Sequence, residues 1–327
     1  MLAFLQGDLV PKLPLEQWTK SFVNYITGTF RGAFNVLRET IDAFVGGLEA
    51  VLSAPPEFVM IAILAAIALF LAGWRMAVFT VLGFLLLISL GLWKDSMLTL
   101  ALILASGMVS LILGIPLGIF AAKSRGLEAA LRPTLDIMQT MPAFVYLVPM
   151  IVFLGLGNGP ALVATVIFAA PPAVRLTMLG IQQVPKDTVE AAQAFGATSW
   201  QTLRKVELPQ ALPTIMAGVN QVIMLALSMV VIAALVGAGG LGEVVVRGLS
   251  QLNVGRALVG GVGIVIIAIY LDRVTRNLSR TMQRDTQGKR GVVSKILARR
   301  GKKTADPDTA GTTGAGAEDV DAGDDSK

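Results

Sequence analysis

From Met97 to Ala122 the chain carries no charged residue. A run of that kind is long enough for a helix to cross a bilayer, which takes roughly 20 apolar residues. Six further runs resemble it: Phe58–Gly73, Met76–Trp93, Leu135–Leu156, Pro160–Gly180, Pro213–Val236 and Val254–Leu271. The first two of the chain are short and separated only by Trp74 and Arg75, a pattern that predicts a tight hairpin. The expectation is an all-α integral membrane protein with about seven transmembrane helices. Composition agrees, because only 15% of the residues are charged, against about a quarter in soluble domains.

What the chain lacks narrows its chemistry. It contains neither cysteine nor histidine, so a thiol nucleophile, a disulfide framework and the usual imidazole metal sites are excluded. No catalytic or metal-ligating residues are therefore nominated. No GxxxxGK[ST] phosphate loop occurs, so an energy source would have to come from another protein. Gly237, Gly239, Gly240 and Gly242 follow an apolar run and predict a close-packed, flexible outer loop instead. The net charge of +5 does not point to nucleic acid, because Lys and Arg cluster in short loops and after the last run. Lys123, Arg125 and Arg132, then Lys186, Arg204 and Lys205, then Arg273, Arg276, Arg280 and Arg284 all fall on one side if the spans alternate. The positive-inside rule makes that side cytoplasmic, with the N-terminus outside and the C-terminus inside. The N-terminal stretch has no basic segment or small-residue cleavage site and does not resemble a cleaved signal.

The organisation follows from these shifts. Residues 1–55 form an extracytoplasmic segment in which Phe30, Phe34, Leu37, Ile41, Phe44, Leu48 and Val51 recur at helical spacing. Arg31, Asn35, Arg38, Glu39, Asp42 and Glu49 stand between them, which predicts an amphipathic helix against the membrane or the bundle, ended by Pro55-Pro56. Residues 56–93 are the hairpin and 94–275 the main apolar body. Residues 276–303 are basic and suited to anionic lipid, and 304–327 form an acidic, Gly- and Ala-rich tail of disordered composition. Inside the spans, Gln139, Thr140, Pro142 and Pro149 interrupt one helix, and Asn220, Gln221 and Ser228 are polar positions on another. Polar groups and prolines at membrane depth are tolerated where they meet protein or a wet cavity. Gln139, Thr140, Pro142, Tyr146, Asn220, Gln221 and Ser228 are accordingly candidates for a translocation path, with helix–helix packing as the competing role. Phe144 and Tyr146 could offer ring faces to a quaternary ammonium. Arg175 is expected to snorkel to the membrane boundary, and Asp136 stands as a lone carboxylate.

One polar stretch, 185–209, lies between two apolar runs. Within it Glu190, Ala191 and Ala192 are followed by Gly196, and nine residues later by Val206, Glu207, Leu208 and Pro209. A short helix with small residues on its surface, in a loop between spans, suits docking of a soluble protein. The pattern resembles the loop by which permease subunits of bacterial ABC importers engage their ATPase. Val206 departs conservatively, since Ile is more usual there. The runs beginning at Leu131 (LRPTLDIMQTMPAFVYLVPM), Pro171 (PPAVRLTMLGIQQVP) and Leu212 (LPTIMAGVNQVIMLALSM) are similar to permease subunits of glycine betaine and proline betaine importers. The similarity covers about residues 95–275. It implies the type I ABC importer permease fold in a bacterial-type plasma membrane, and uptake of quaternary-amine osmoprotectants. It also implies a separate cytoplasmic ABC ATPase, an extracytoplasmic substrate-binding protein and a permease homodimer. Glu190, Ala191, Ala192, Gly196, Leu208 and Pro209 would couple to the ATPase. By the same resemblance no cofactor is bound here, ATP being the partner's, and the chain is not itself an enzyme. A choline or carnitine permease is the near alternative. A stand-alone channel or secondary transporter is the distant one, and it would need intramembrane charge that the spans almost lack.

Overall fold

The structure, a computed structural model, describes residues 14–303, with side-chain surroundings described for residues 17–278. Its regular elements are α1 (Leu15–Ser53), α2 (Glu57–Ala72), α3 (Trp74–Ser89), α4 (Trp93–Lys123), α5 (Arg125–Thr140) and α6 (Phe144–Leu154). They continue as α7 (Asn158–Gln182), α8 (Lys186–Ala194), α9 (Ser199–Thr202), a π-helical turn (Leu203–Glu207), α10 (Leu208–Ala234), α11 (Leu241–Ser250) and α12 (Val254–Lys303). The chain divides into two units, Met1–Gln283 and Arg284–Lys327; of the second, the described part is helix up to Lys303. The expectation for 304–327 lies outside the described residues, as do the side chains of the basic segment beyond residue 278.

Among the described residues, four helices are long and apolar enough to cross a membrane: Trp93–Lys123, Asn158–Gln182, Ser199–Ala234 and Val254–Leu278. Two bent pairs, α1 with α2 (96°) and α5 with α6 (98°), raise the number to six if each is one span, and α3 is a shorter apolar helix. The fold is thus all-helical and membrane-embedded, with the predicted runs recovered as helices. The run Leu135–Leu156 is not one straight span, however. Met141 is extended (φ −72°, ψ 135°), the conformation that a following proline imposes, and the helix axis turns there. Pro149, by contrast, stays inside α6.

At the centre, α7 packs against α4 on one side and α10 on the other. Small residues set the separation: a Cβ on Gly118 would lie 2.6 Å from the Val174 carbonyl oxygen, and one on Gly218 would lie 3.3 Å from that of Pro172. In lipid, close backbone approach of this kind replaces the hydrophobic drive that water supplies elsewhere. Phe84, Leu87, Met97, Leu100, Leu241 and Ile267 form the largest buried cluster, which ties α3, α4, α11 and α12 together. Phe84 meets Trp93 and Tyr270 edge to face, and the Tyr270 hydroxyl donates to the Leu64 carbonyl at 3.3 Å. The glycine loop ahead of α11 is packed rather than loose. Gly240 has φ +89° and lies so close to Thr99 that a Cβ would sit 2.5 Å from its hydroxyl oxygen, which accepts from the Leu241 N–H at 2.8 Å.

The amphipathic segment is longer than its pattern predicts, beginning at Leu15 rather than near Phe30. Phe30 is non-helical (φ −109°, ψ 19°), so the apolar positions before and after it do not share one register. Ile41 and Val45 are buried against α4 and α7, and Phe34 stacks on Phe153 of α6 with centroids 4.9 Å apart. Trp18, Phe22 and Tyr25 remain exposed, as suits an interfacial helix with an aromatic face.

Candidate functional site

Pro185 stops the chain after α7 and opens α8, whose first turn carries Asp187 beside the positive end of the helix dipole. No residue of α8 is buried. Its end is set by Gly196, at φ +81°. The Gly196 N–H donates to Gln193 (2.8 Å) and the Ala197 N–H to Ala192 (3.1 Å). This pair of bonds is the left-handed glycine stop, which satisfies carbonyls that the helix end leaves open. Thr198 and Gln201 then close a reciprocal capping box that starts α9. Glu190, Ala191 and Gly196 are exposed and Ala192 is half-buried. Phe195 and Trp200 are 93% and 66% exposed, large apolar side chains in a loop otherwise fit for water. Leu208 and Pro209, grouped with them by the sequence motif, are half-buried. They belong to the base of the loop rather than its tip.

That base holds residues the motif did not reveal. Leu203 and Leu208 pack with Ile115, Ile119, Ile181, Ala211 and Ile215, joining the loop to α4, α7 and α10. Glu207, buried, receives Lys123 from the end of α4: Nζ lies 2.7 Å from Oε1 and 2.5 Å from Oε2. The intervening π turn widens the helix just before Pro209, whose ring would otherwise press on the carbonyl four residues back. The isolated apolar and acidic residues before Pro209 gave no hint of this pairing, because Lys123 is distant in sequence.

The residues singled out for a translocation path separate into two places. On α5 and α6, Gln139, Thr140 and Pro142 are exposed around the bend. Tyr146 is half-buried, and its hydroxyl donates to the Met138 carbonyl at 2.7 Å. Met138 is four residues before Pro142, so the phenol supplies the hydrogen bond that the proline cannot. The Tyr146 ring lies 6.5 Å from that of Phe168, while Phe144 is exposed. On α10, Pro213, Ala217, Gln221, Met224 and Ser228 form one exposed stripe. Asn220 is turned partly inward, its Oδ1 enclosed without a partner. The pocket between α4, α7 and α10 has room for only about 20 Å³, and the Ser106 and Thr165 hydroxyls lining it bond back to their own helices.

One contact was not expected: Asp136 on α5, which has no second acid beside it, pairs with the Arg175 guanidinium on α7. Their separation of 39 positions hides the pair from any local pattern.

Comparison with known proteins gives this arrangement a lineage. Residues 114–284 match the family described as binding-protein-dependent transport system inner membrane component. The chain is 47% identical over 268 residues to the glycine betaine/proline betaine transport system permease protein ProW of Escherichia coli (strain K12), covering 82% of this chain and 76% of that protein. It is 46% identical over 276 residues to the glycine betaine/carnitine transport permease protein GbuB of Listeria monocytogenes, covering 83% and 97%. A solved inward-facing structure of the MetNI methionine ABC transporter is similar over 58% of this chain and 95% of its own, with TM-score 0.54 and 26% identity. With the matched region spanning the long helices α7 and α10 and the exposed loop between them, the chain belongs to the family of binding-protein-dependent transport system inner membrane components.

Proposed function

We propose that this chain is the permease subunit of an ATP-driven importer for glycine betaine, proline betaine and related methylated zwitterions, with the 185–209 loop as its contact to a separate ATPase. The observation that carries the coupling role is α8 itself, a helix with no buried residue followed by exposed Phe195 and Trp200. Buried aromatic anchors are the usual energetic centre of a protein interface, and here they stand uncovered in the single chain. The substrate class is supported by relatives at 46% and 47% identity whose names specify glycine betaine, proline betaine and carnitine.

In this reading the loop faces the cytoplasm, the N-terminus lies outside, and an extracytoplasmic binding protein delivers substrate. Two copies pair. The exposed stripe on α10 supports pairing, because the Gln221 amide facing hydrocarbon would be costly, whereas against a second copy or a wet path it is not; Ser228 already donates to the Met224 carbonyl. ATPase closure draws the two loops together, and Leu203, Glu207 and Leu208 carry that motion into α4, α7 and α10. Alternating access is then an equilibrium between two states that the nucleotide biases through different contacts.

Uptake of labelled glycine betaine in cells lacking other osmolyte transporters, with the cognate ATPase and binding protein present, tests the reading. Glu190→Lys should abolish uptake while membrane levels stay normal. Equal uptake by wild type and Glu190→Lys would remove Glu190 from coupling, and uptake that persists without the ATPase would remove the importer class.

A further inference from the structure

One polar face runs the length of α5: Arg125, Glu128, Arg132, Asp136 and Gln139 recur at three- and four-residue intervals, and Leu135, at the edge of that face, is buried. Arg132 and Glu128 pair with each other along the helix. Asp136 instead reaches across to Arg175, one turn from the bend at Gln139 and Thr140. Arg175 sits seven residues before the end of α7, roughly 10 Å of helix from the loop side. Both groups are open, with side chains 63% exposed for Asp136 and 39% for Arg175.

That exposure decides between two roles. An ion pair this accessible within the chain contributes little to holding α5 against α7. Arg175, a charge kept inside the apolar span α7 for so little stability, is by default a functional group. Its chemistry fits one ligand class. Guanidinium offers a planar fork for a carboxylate, and the aspartate offers a negative partner to a quaternary ammonium that has no N–H to give. A zwitterion carrying both can replace the internal pair, one end on each residue, with every charge partnered before and after. Such an exchange is close to balanced, so the site holds substrate weakly and lets it leave, as a conducting pathway requires.

We propose that Asp136 and Arg175 form a low-affinity station for the zwitterion on the loop side of the pathway, Arg175 taking the carboxylate and Asp136 the ammonium. The proposal rests on the betaine reading above and specifies how that substrate meets this chain.

The natural absence of cysteine makes the test clean. Gln139→Cys, one turn from Asp136, is introduced into the full transporter with its ATPase, and inside-out vesicles are exposed to a small impermeant maleimide. Labelling is expected, and millimolar glycine betaine should slow it by about threefold or more, the extent set by site occupancy. Tetramethylammonium and acetate, given separately at the same concentration, should protect less, and sucrose at equal osmolarity not at all. Adding Arg175→Gln or Asp136→Asn should abolish protection while the ATPase still co-purifies. Absence of labelling, equal protection by sucrose, or protection that survives both substitutions would overturn the station. Because the first comparison keeps the pair intact, a variant that fails to assemble does not leave the proposal untested. Right-side-out vesicles with the binding protein separate the two levels. If they take up betaine and protection fails, only the station falls; if they take up none, the betaine reading falls with it.

Discussion

A methyl group added at Gly196 would touch nothing within 4 Å, yet the backbone there sits at φ +81°. The constraint is conformational, not steric. Gly196→Ala should therefore cost about 1 kcal/mol, the usual penalty for a side chain in the left-handed region, and fray the end of α8. Recovery of the ATPase on co-purification should drop. Gly196→Asn should recover more than Ala, since asparagine tolerates that region; equal losses would mean that the partner needs the space itself. Tyr146 makes a second argument at this scale. Tyr146→Phe removes only the bond to Met138, worth about 1 kcal/mol, and should lower the thermal midpoint of the purified complex without weakening ATPase recovery. An unchanged midpoint would show that water replaces the phenol at the bend.

Between elements, the Lys123–Glu207 pair fastens the end of α4 to the turn that leads out of the 185–209 loop. Glu207 is buried but Lys123 is 43% exposed, so breaking the pair should cost about 1–2 kcal/mol, less than for a fully enclosed one. Glu207→Gln should preserve ATPase binding and reduce betaine uptake per ATP hydrolysed, and exchanging the two charges should restore part of it. Intact coupling in Glu207→Gln would assign the pair to stability alone. How much of this was legible follows from the range of each interaction. Apolar runs and the Glu190–Pro209 pattern are local, and the helices and the exposed loop appear where they predicted. The start of α1 was missed because Phe30 breaks the register that periodicity depends on. The bend at Met141 was half visible: Pro142 and Pro149 both looked disruptive, and only the first turns the axis. Lys123 with Glu207 and Asp136 with Arg175 were illegible, since each joins helices far apart in the chain.

For the molecule as a whole, the pairing proposed above places the α10 stripe against a second copy. In the cysteine-free background, Met224→Cys should yield an oxidised dimer in native membranes, whereas a cysteine at buried Met229 should not. Monomer alone from Met224→Cys would argue that the stripe lines a path without touching its counterpart. The α2–α3 hairpin has a different bearing. Each arm has 16 residues, about 24 Å of helix, against a hydrocarbon layer of about 30 Å. Lipid beside the hairpin must thin to meet it, or the flanking side chains must stretch outward, at a modest cost per ångström of mismatch. Cells that swell stretch and thin their membranes, and cells that shrink relax them. If both arms cross, a hairpin this short, held to α12 through the Tyr270–Leu64 hydrogen bond, ties its own fit in the lipid to the packing of the bundle.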